Sequence, residues 1–374
     1  MTKVTHIFKT YFPETHGGLE EAIRQIGRHA AANGFDVEVI AAGKQNVEIR
    51  NLDGITAKFH KTNFYFYSNP VSFSFARKFK AICQSTDILH FHFTWPTAEI
   101  LTLVHRIKKP MVVTFHCDIH KNRLLKTLYR PIIKRFLTKA DRICVTSKNL
   151  LANTPCLQEF RNKIDEACLW LDKDRFMDLD EPDRNIVELT AALRPYGLFI
   201  GVLRWYKGLN TLLDAAKTFK GNLVIVGKGP LYSHLSARIK QEGLYNIKLM
   251  GFQPDSNLKM LIQESKFIVL PSTSPAEAFG QALLEGLYFS KPLISTELGT
   301  GTSFVNKHNH TGFVVTPGCS RSLCRAMNTM IENQEIYDRF TANTFEHYKA
   351  NFTAKIQGDI YSRIYRSLLK KPSA

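Results

Sequence analysis

The sequence predicts an α/β protein built from two Rossmann-like, doubly wound domains that face each other across a cleft. Three observations lead there. At 374 residues the chain is long enough for two domains. Short apolar runs alternate with amphipathic stretches, the pattern of a parallel sheet with helices on both faces. That alternation stops near residue 171 and resumes near residue 198, so two such sheets follow one another.

In the first half, strands are expected at 4–8, 37–41, 88–91, 111–115 and 142–146, where apolar residues run together as in strands buried on both faces. Helical spacing occupies 18–33 and 97–107, and Gly34 reads as a helix stop. The region 171–195 is acidic, holds Pro182 and Pro195, and lacks periodicity. It ends the first domain, 1–175, and supplies a linker at 176–195. The second domain, 196–345, has expected strands at 198–201, 223–227, 247–250, 267–271 and 292–295, with helices at 208–219, 231–242 and 280–287. A C-terminal helical stretch, 346–374, is expected to pack back on the first domain.

Composition narrows the class. The chain is 44% hydrophobic and 22% charged, as in ordinary globular proteins. It has no apolar run of membrane-spanning length and does not open with the order of a signal peptide. Its seven cysteines are odd in number, scattered, and form no CxxC pair. Free thiols in the cytoplasm are expected, and no metal site. The net charge of +17 suits anionic partners: nucleic acid, a membrane surface, or phosphorylated small molecules. Nine basic residues and one acid, Asp141, fall between Lys121 and Lys148.

Four segments carry candidate chemistry. In 271–292, PSTSPAEAFGQALLEGLYFSKP, a strand ends, a polar loop follows and a helix opens near Gly280. The first amides of a helix have no internal partners and its dipole favours anions, so a diphosphate suits this place, with Phe279 and Gly280 offering backbone N–H groups. Glu277 precedes the helix and Glu285 lies more than a turn inside it. They cannot share one ligand atom, and beside a phosphate each suits a hydroxyl, one on a sugar and one on a ribose. The same spacing also fits a helix cap at Glu277 and a surface residue at Glu285. In 199–209, FIGVLRWYKGL, Arg204 and Lys207 would neutralise a leaving diphosphate without a metal, or be ordinary loop charge. Gly17 and Gly18, in a loop without GxGxxG, permit close backbone approach or a tight turn. His116 and Asp118, after the strand at 111–115, would project toward the cleft, with Lys121 grouped on the same side.

Taken in order, these segments resemble the large retaining GT-B glycosyltransferase family that includes glycogen and sucrose-phosphate synthases and many bacterial mannosyltransferases. The resemblance rests on the glycine loop, FHCDI, the Arg/Lys loop, GKGP at 227–230, GF at 251–252 and the E-x7-E pair Glu277 and Glu285. It implies catalytic roles for His116, Arg204, Lys207 and Glu277. Glu277 would contact the donor hexose, with Phe279 and Gly280 binding it through backbone groups. Glu285 would hold the ribose, and the Phe252 backbone would lie near the base. Gly17 and Gly18 would face the diphosphate and acceptor, His116 the hexose, and Asp118 and Lys121 the acceptor. The implied reaction is front-face substitution with retention and no metal cofactor. The LRWYKGL and FHCDI wording is similar to bacterial mannosyl- and rhamnosyltransferases, which implies GDP-mannose as the nucleotide-sugar and a saccharide acceptor of O-antigen assembly. One departure stands out: the family's arginine after the loop glycine is Val202 here, and Arg204 lies two residues on. The tripeptide Asp172–Lys173–Asp174 mimics a metal-binding DxD but falls in a structural stretch of this family, so it is not taken as a metal site.

The basic cluster has a helical reading. Arg123, Lys126, Arg130 and Lys134 fall on one side of a wheel, with Leu125, Leu128, Ile132 and Phe136 opposite. Pro131 would split the segment into two helices. This face is either a solvated surface or a dock for anionic lipid. Phe64–Tyr67, Phe73, Phe75 and Phe79, beside Arg77, Lys78 and Lys80, favour the membrane and a lipid-linked acceptor, with the protein peripheral on the inner face of the cytoplasmic membrane. Two other classes are carried alongside. A sugar-nucleotide epimerase or hydrolase would turn over donor without acceptor. A nucleic-acid binder would use the charge, but no recognition motif for nucleic acid appears.

Overall fold

The computed structural model describes residues 1–117 and 123–370, with 123–126 described as backbone only. It contains two compact units: Met1–Leu169 together with the chain's last stretch from Ala354, and Trp170–Thr353.

The first unit holds a sheet of eight strands: β1 (Thr2–Ile7), β2 (Phe35–Gly43), β3 (Val47–Leu52), β4 (Ile55–Lys61), β7 (Ile88–Phe93), β8 (Met111–Phe115), β9 (Arg142–Val145) and β10 (Ile164–Glu166). Their order is β10-β9-β8-β7-β1-β2-β4-β3, parallel except for β3 against β4. Strands β7 and β8 are buried throughout and mostly apolar, and their polar members His90, His92 and Thr114 are hydrogen-bonded inside the fold. A separate hairpin pairs β5 (Phe64–Phe66) with β6 (Asn69–Val71). Helix α1 (Gly18–Ala32) carries Glu20 and Glu21 in its first turn and stops before Gly34, whose φ of 86° is left-handed. Helix α2 (Phe73–Gln84) is capped by Ser72, which accepts from the Phe75 amide, and buries Phe75, Phe79 and Cys83 at helical spacing. Phe75 stacks on Trp95, with ring centroids 4.5 Å apart. Helices α3 (Pro96–Val104), α4 (Arg123–Lys139) and α5 (Lys148–Ala152) complete the part before the chain leaves.

Two expectations for α4 are corrected. It is one helix with Pro131 inside it, not two. Its buried residues are Ile133, Phe136 and Leu137, whereas Leu128 is 68% exposed and Arg130 and Lys134 are exposed too. Packing of the last two turns on the core fixes the helix's rotation and carries the chain through Pro131. The aromatic group is divided as well: Phe75 and Phe79 belong to the core, while Phe64, Tyr65, Phe66, Tyr67 and Phe73 are exposed.

Helix α14 (Ala354–Leu369) returns to this unit and packs on α1. Gly358 permits the approach, since a Cβ there would meet the His29 ring at 2.5 Å. His29 Nε2 lies 2.9 Å from Asp359, and the buried Tyr361 and Tyr365 seal the sheet face.

The second unit holds β11 (Tyr196–Ile200), β12 (Asn222–Val226), β13 (Ile247–Gly251), β14 (Phe267–Leu270), β15 (Leu293–Thr296) and β16 (Gly312–Val315), all parallel, in the order β13-β12-β11-β14-β15-β16. Its helices are α6 (Arg184–Leu193), α7 (Leu209–Ala216), α8 (Tyr232–Gln241), α9 (Asp255–Glu264), α10 (Gln281–Tyr288), α11 (Thr302–Val305), α12 (Ser320–Glu332) and α13 (Gln334–Asn351). The strand order reverses between β11 and β14, the place where doubly wound sheets bind ligands beyond the strands' carboxyl ends. The expected linker at 176–195 is corrected: it contains α6, which packs on α9, buries Ile186 and Thr190, and belongs to this unit. Its apolar spacing is short, so the acidic flanks hide it in the sequence.

Candidate active site

In the second unit the loops after β11, β12, β13 and β14 are tied to one another by glycines. Gly208 is left-handed, with φ 68°, and a Cβ there would lie 1.8 Å from the Pro271 carbonyl oxygen. The Thr273 amide donates to the Tyr206 carbonyl at 2.8 Å, so the loop after β11 is seated on the loop after β14. Gly227 and Gly229 press the loop after β12 against Gly201 and Leu203, and the Leu203 amide donates to the Lys228 carbonyl at 2.9 Å.

This seating brings Lys207 to Glu277. The Lys207 Nζ lies 2.5 Å from Glu277 Oε2, with side-chain exposures of 13% and 8%, and the Ser272 hydroxyl donates to the same oxygen at 3.0 Å. Glu277 therefore does not cap the helix that follows. Gly280, with φ 83°, is the N-cap of α10 and makes no side-chain cap. Among the described residues the amides of Phe279, Gly280, Gln281 and Ala282 donate to no protein group, which leaves four N–H groups at the amino end of α10 for an anion. The Phe279 ring is buried against Phe352 and under Gly301, which fixes its amide in place.

Glu285 is buried rather than on the surface, and Arg175 holds it. Arg175 Nη1 donates to Glu285 Oε1 at 2.7 Å, while Nε and Nη2 donate to Asp255 at 3.0 and 2.7 Å. Arg175 was not singled out from the sequence. It sits in a short 3-10 turn, Lys173–Phe176, whose N-cap Asp172 accepts from the Asp174 amide; that occupies the first acid of the DxD look-alike. Phe252 follows β13 and is 67% exposed, with Lys228 Nζ 5.8 Å from its ring centre. Arg204 is exposed at the start of a 3-10 turn, two residues after the exposed Val202, and its guanidinium has no protein partner among the described residues.

In the first unit Gly18 opens α1 and Gly17 precedes it in extended backbone. The Glu20 carboxylate folds over Gly17: it accepts from the Thr15 hydroxyl at 2.8 Å, and its other oxygen lies 2.8 Å from where a Gly17 Cβ would stand. A hydroxyl suits this loop better than a bare anion. His116 follows β8 and is 1% exposed, with Nε2 2.9 Å from His92 Nδ1. Burial pushes its imidazolium pKa down to about 3, so the ring is neutral. Asp118 and Lys121 lie outside the described residues, as do the side chains of Arg123 and Lys126. Lys134 is paired with Glu159 at 2.5 Å. Among the described residues three buried histidines, His6, His90 and His92, lie close enough to share a metal. His90 and His92, however, have both nitrogens engaged by other rings or hydroxyls, which leaves His6 Nε2 as the one unclaimed ligand atom.

Two family profiles match the chain: the one described as Glycosyltransferase Family 4 over residues 16–158, and the one described as Glycosyl transferases group 1 over residues 188–347. The chain is 35% identical over 374 residues to O-antigen chain mannosyltransferase C of Escherichia coli, covering 99% of this chain and 100% of that protein. The chain belongs to this glycosyltransferase family. The glycosyltransferase is also 34% identical to D-rhamnosyltransferase WbpZ of Pseudomonas aeruginosa, over 94% of its own length and 92% of the relative's. Among solved structures it superposes on sucrose-phosphate synthase from Thermosynechococcus elongatus with a TM-score of 0.81, at 18% identity and 99% coverage of both chains. The HepE protein of Anabaena, solved with UDP and glucose, gives a TM-score of 0.78 at 17% identity, covering 98% of this chain and 100% of that one. These similarities establish the GT-B fold of the glycosyltransferase. Among its described residues, no helix is long and apolar enough to cross a membrane.

Proposed function

We propose that this glycosyltransferase moves mannose from GDP-mannose, with retention, onto a lipid-linked saccharide in bacterial O-antigen assembly. The observation that carries the reading is the 35% identity, over essentially the whole chain, to an O-antigen mannosyltransferase. The site supports it physically. The Lys207 ammonium and the open amides of 279–282 stand on loops of the same sheet edge, as a departing diphosphate requires. With that charge supplied by the protein, the proposed reaction needs no metal. The diphosphate leaves from the face on which the acceptor hydroxyl attacks and takes its proton. Glu277 orients a hexose hydroxyl, Glu285 the ribose, Phe252 flanks the base, Arg204 reaches the phosphates in place of the family arginine, and His116 meets the hexose. Gly17 and Gly18 leave room for the acceptor, with Asp118 and Lys121 on that side.

The exposed aromatics at 64–67 and Phe73 are followed by the exposed cations Arg77, Lys78 and Lys80 on α2. The hairpin and α4, with the exposed Arg130 and Lys134, both flank α3: Trp95 donates to the Pro70 carbonyl, and Tyr129 donates to Glu99. In our reading this face rests on an anionic leaflet and gives the enzyme access to a lipid-linked acceptor.

A thermal-shift panel of nucleotide sugars tests the donor. GDP-mannose is expected to raise the melting temperature more than UDP-glucose or UDP-galactose, and to be consumed without loss of rate in EDTA. A larger shift with a UDP-sugar overturns the donor assignment.

A further inference from the structure

Three buried imidazoles form a hydrogen-bonded chain across the first unit's sheet. His6 Nδ1 lies 2.9 Å from His92 Nε2, and His92 Nδ1 lies 2.9 Å from His116 Nε2. Ring centroids are 5.2 Å apart in both pairs, with planes 19° and 16° from parallel. The contacts therefore run edge to edge through the nitrogens. The register makes the chain possible. His6 is paired with His90 on the neighbouring strand, and His92 with Thr114, so each link steps one strand across and two residues on. His90 repeats the step toward the Thr114 hydroxyl at 2.7 Å, is held at its other nitrogen by the Tyr365 hydroxyl at 2.6 Å, and stacks over His92.

The chain has two open ends. His6 Nε2 is buried in the middle of the sheet, and His116 Nδ1 is buried at its carboxyl edge; neither has a hydrogen-bond partner among the described residues. All three rings are held neutral by burial, His6 and His116 with pKa values near 3 and His92 well below its usual value. A neutral imidazole carries one proton, so two N···N contacts among three rings admit two consistent arrangements. Either every ring bears its proton on Nδ1 or every ring bears it on Nε2; any mixture sets two lone pairs or two protons against each other. The first arrangement leaves a lone pair at His6 and an N–H at His116. The second leaves an N–H stranded at His6. Either way one buried N–H lacks a protein acceptor among the described residues; at His6 it would lie in mid-sheet, whereas at His116 it lies at the carboxyl edge, where ligands meet such sheets and can accept it.

We infer that His6 and His92 are positioning residues that hold His116 as an Nδ1–H donor, so that it gives a hydrogen bond to an oxygen of the donor substrate and does not act as a general base. The role in substrate binding rests on the proposed placement of His116 at the hexose; the protonation pattern does not.

The full chain labelled with ¹⁵N-histidine reads the pattern directly, since long-range ¹H–¹⁵N correlations distinguish the two tautomers. His6, His92 and His116, assigned by single His→Phe variants, are expected as Nδ1–H forms in the ligand-free protein at neutral pH. An Nε2–H or doubly protonated His116 overturns the inference, and this measurement needs no variant to fold beyond those used for assignment. In His92→Phe, His116 is expected to lose its Nδ1–H signature, and the KM for GDP-mannose to rise about tenfold with a smaller change in kcat, the loss of one ground-state hydrogen bond. Retention of the Nδ1–H signature in that variant overturns the positioning role. An unchanged KM for GDP-mannose in His116→Phe, beside an intact Nδ1–H signature in the unmodified protein, overturns instead the placement of His116 at the donor.

Discussion

The Lys207 ammonium and the Glu277 carboxylate lie 2.5 Å apart, both nearly buried, at the point where the second sheet reverses its strand order. Each neutralises the other, so removing either strands a charge. Lys207→Ala is expected to lower kcat by about 10²–10³, the scale for loss of a preorganised group facing developing charge. It is also expected to destabilise the second unit, because Glu277 is left unpaired. The double variant Lys207→Met with Glu277→Gln separates the effects: urea unfolding should recover most of the stability while turnover stays low. Recovery of turnover would remove Lys207 from the mechanism.

Arg175 joins Asp255 to the buried Glu285. Arg175→Leu removes the guanidinium from the buried Glu285 and the partly exposed Asp255 and is expected to cost about 3 kcal/mol in chemical denaturation. Arg175→Lys cannot span both partners, because an ammonium lacks the planar fork. Its expected signature is a raised KM for the donor with kcat little changed, measured by steady-state kinetics.

Gly208 couples the two loops that carry Lys207 and Glu277. Any Cβ at that position collides with the Pro271 carbonyl and demands a left-handed backbone. Gly208→Ala is expected to destabilise by roughly 2–5 kcal/mol. Gly54→Ala is the control: Gly54 has φ 78° and open space around it, so only the backbone term applies. Comparing the two melting temperatures isolates the steric contribution.

Acidification is expected to unfold the first unit before most carboxylates are titrated. The pKa values of His6 and His116 fall from 6.5 to about 3 on burial, and those of His90 and His92 fall well below 6.5. With folded pKa values depressed, the stabilisation is complete above 6.5 and is lost as pH falls toward the folded values. Glu99 works in the opposite sense, because its buried carboxyl is raised from 4.5 to about 7. Its stabilisation is complete below 4.5 and is lost as pH rises through about 7. Denaturant midpoints should therefore drop between pH 6.5 and about 4.5, and drop more steeply in Glu99→Gln. A flat profile over that window would contradict the buried, neutral histidine group.

Membrane docking predicts flotation with vesicles containing anionic lipid at low salt, and much weaker flotation with neutral vesicles. Replacing Phe64, Tyr65, Phe66 and Tyr67 by serine should abolish it with the melting temperature unchanged, since all four rings are exposed. Equal flotation of the variant would assign binding to charge alone.

The sequence by itself determined the two doubly wound sheets, because strands buried on both faces must be predominantly apolar and their helices amphipathic. It also singled out the loops after β8, β11 and β14 as candidates for chemistry, since glycines and charges at strand ends stand out against those runs. Periodicity reports which residues are buried, not which strands become neighbours. Only the tertiary structure could decide that Lys207 meets Glu277, because the meeting depends on Gly208 seating one loop upon another. The same holds for Arg175 reaching Glu285 across 110 residues of sequence, and for the turn of α4 that puts Leu128 on the exposed side. The His6–His92–His116 chain is the clearest case: its links span 86 and 24 residues, and they form because parallel register sets three strands side by side with a constant stagger.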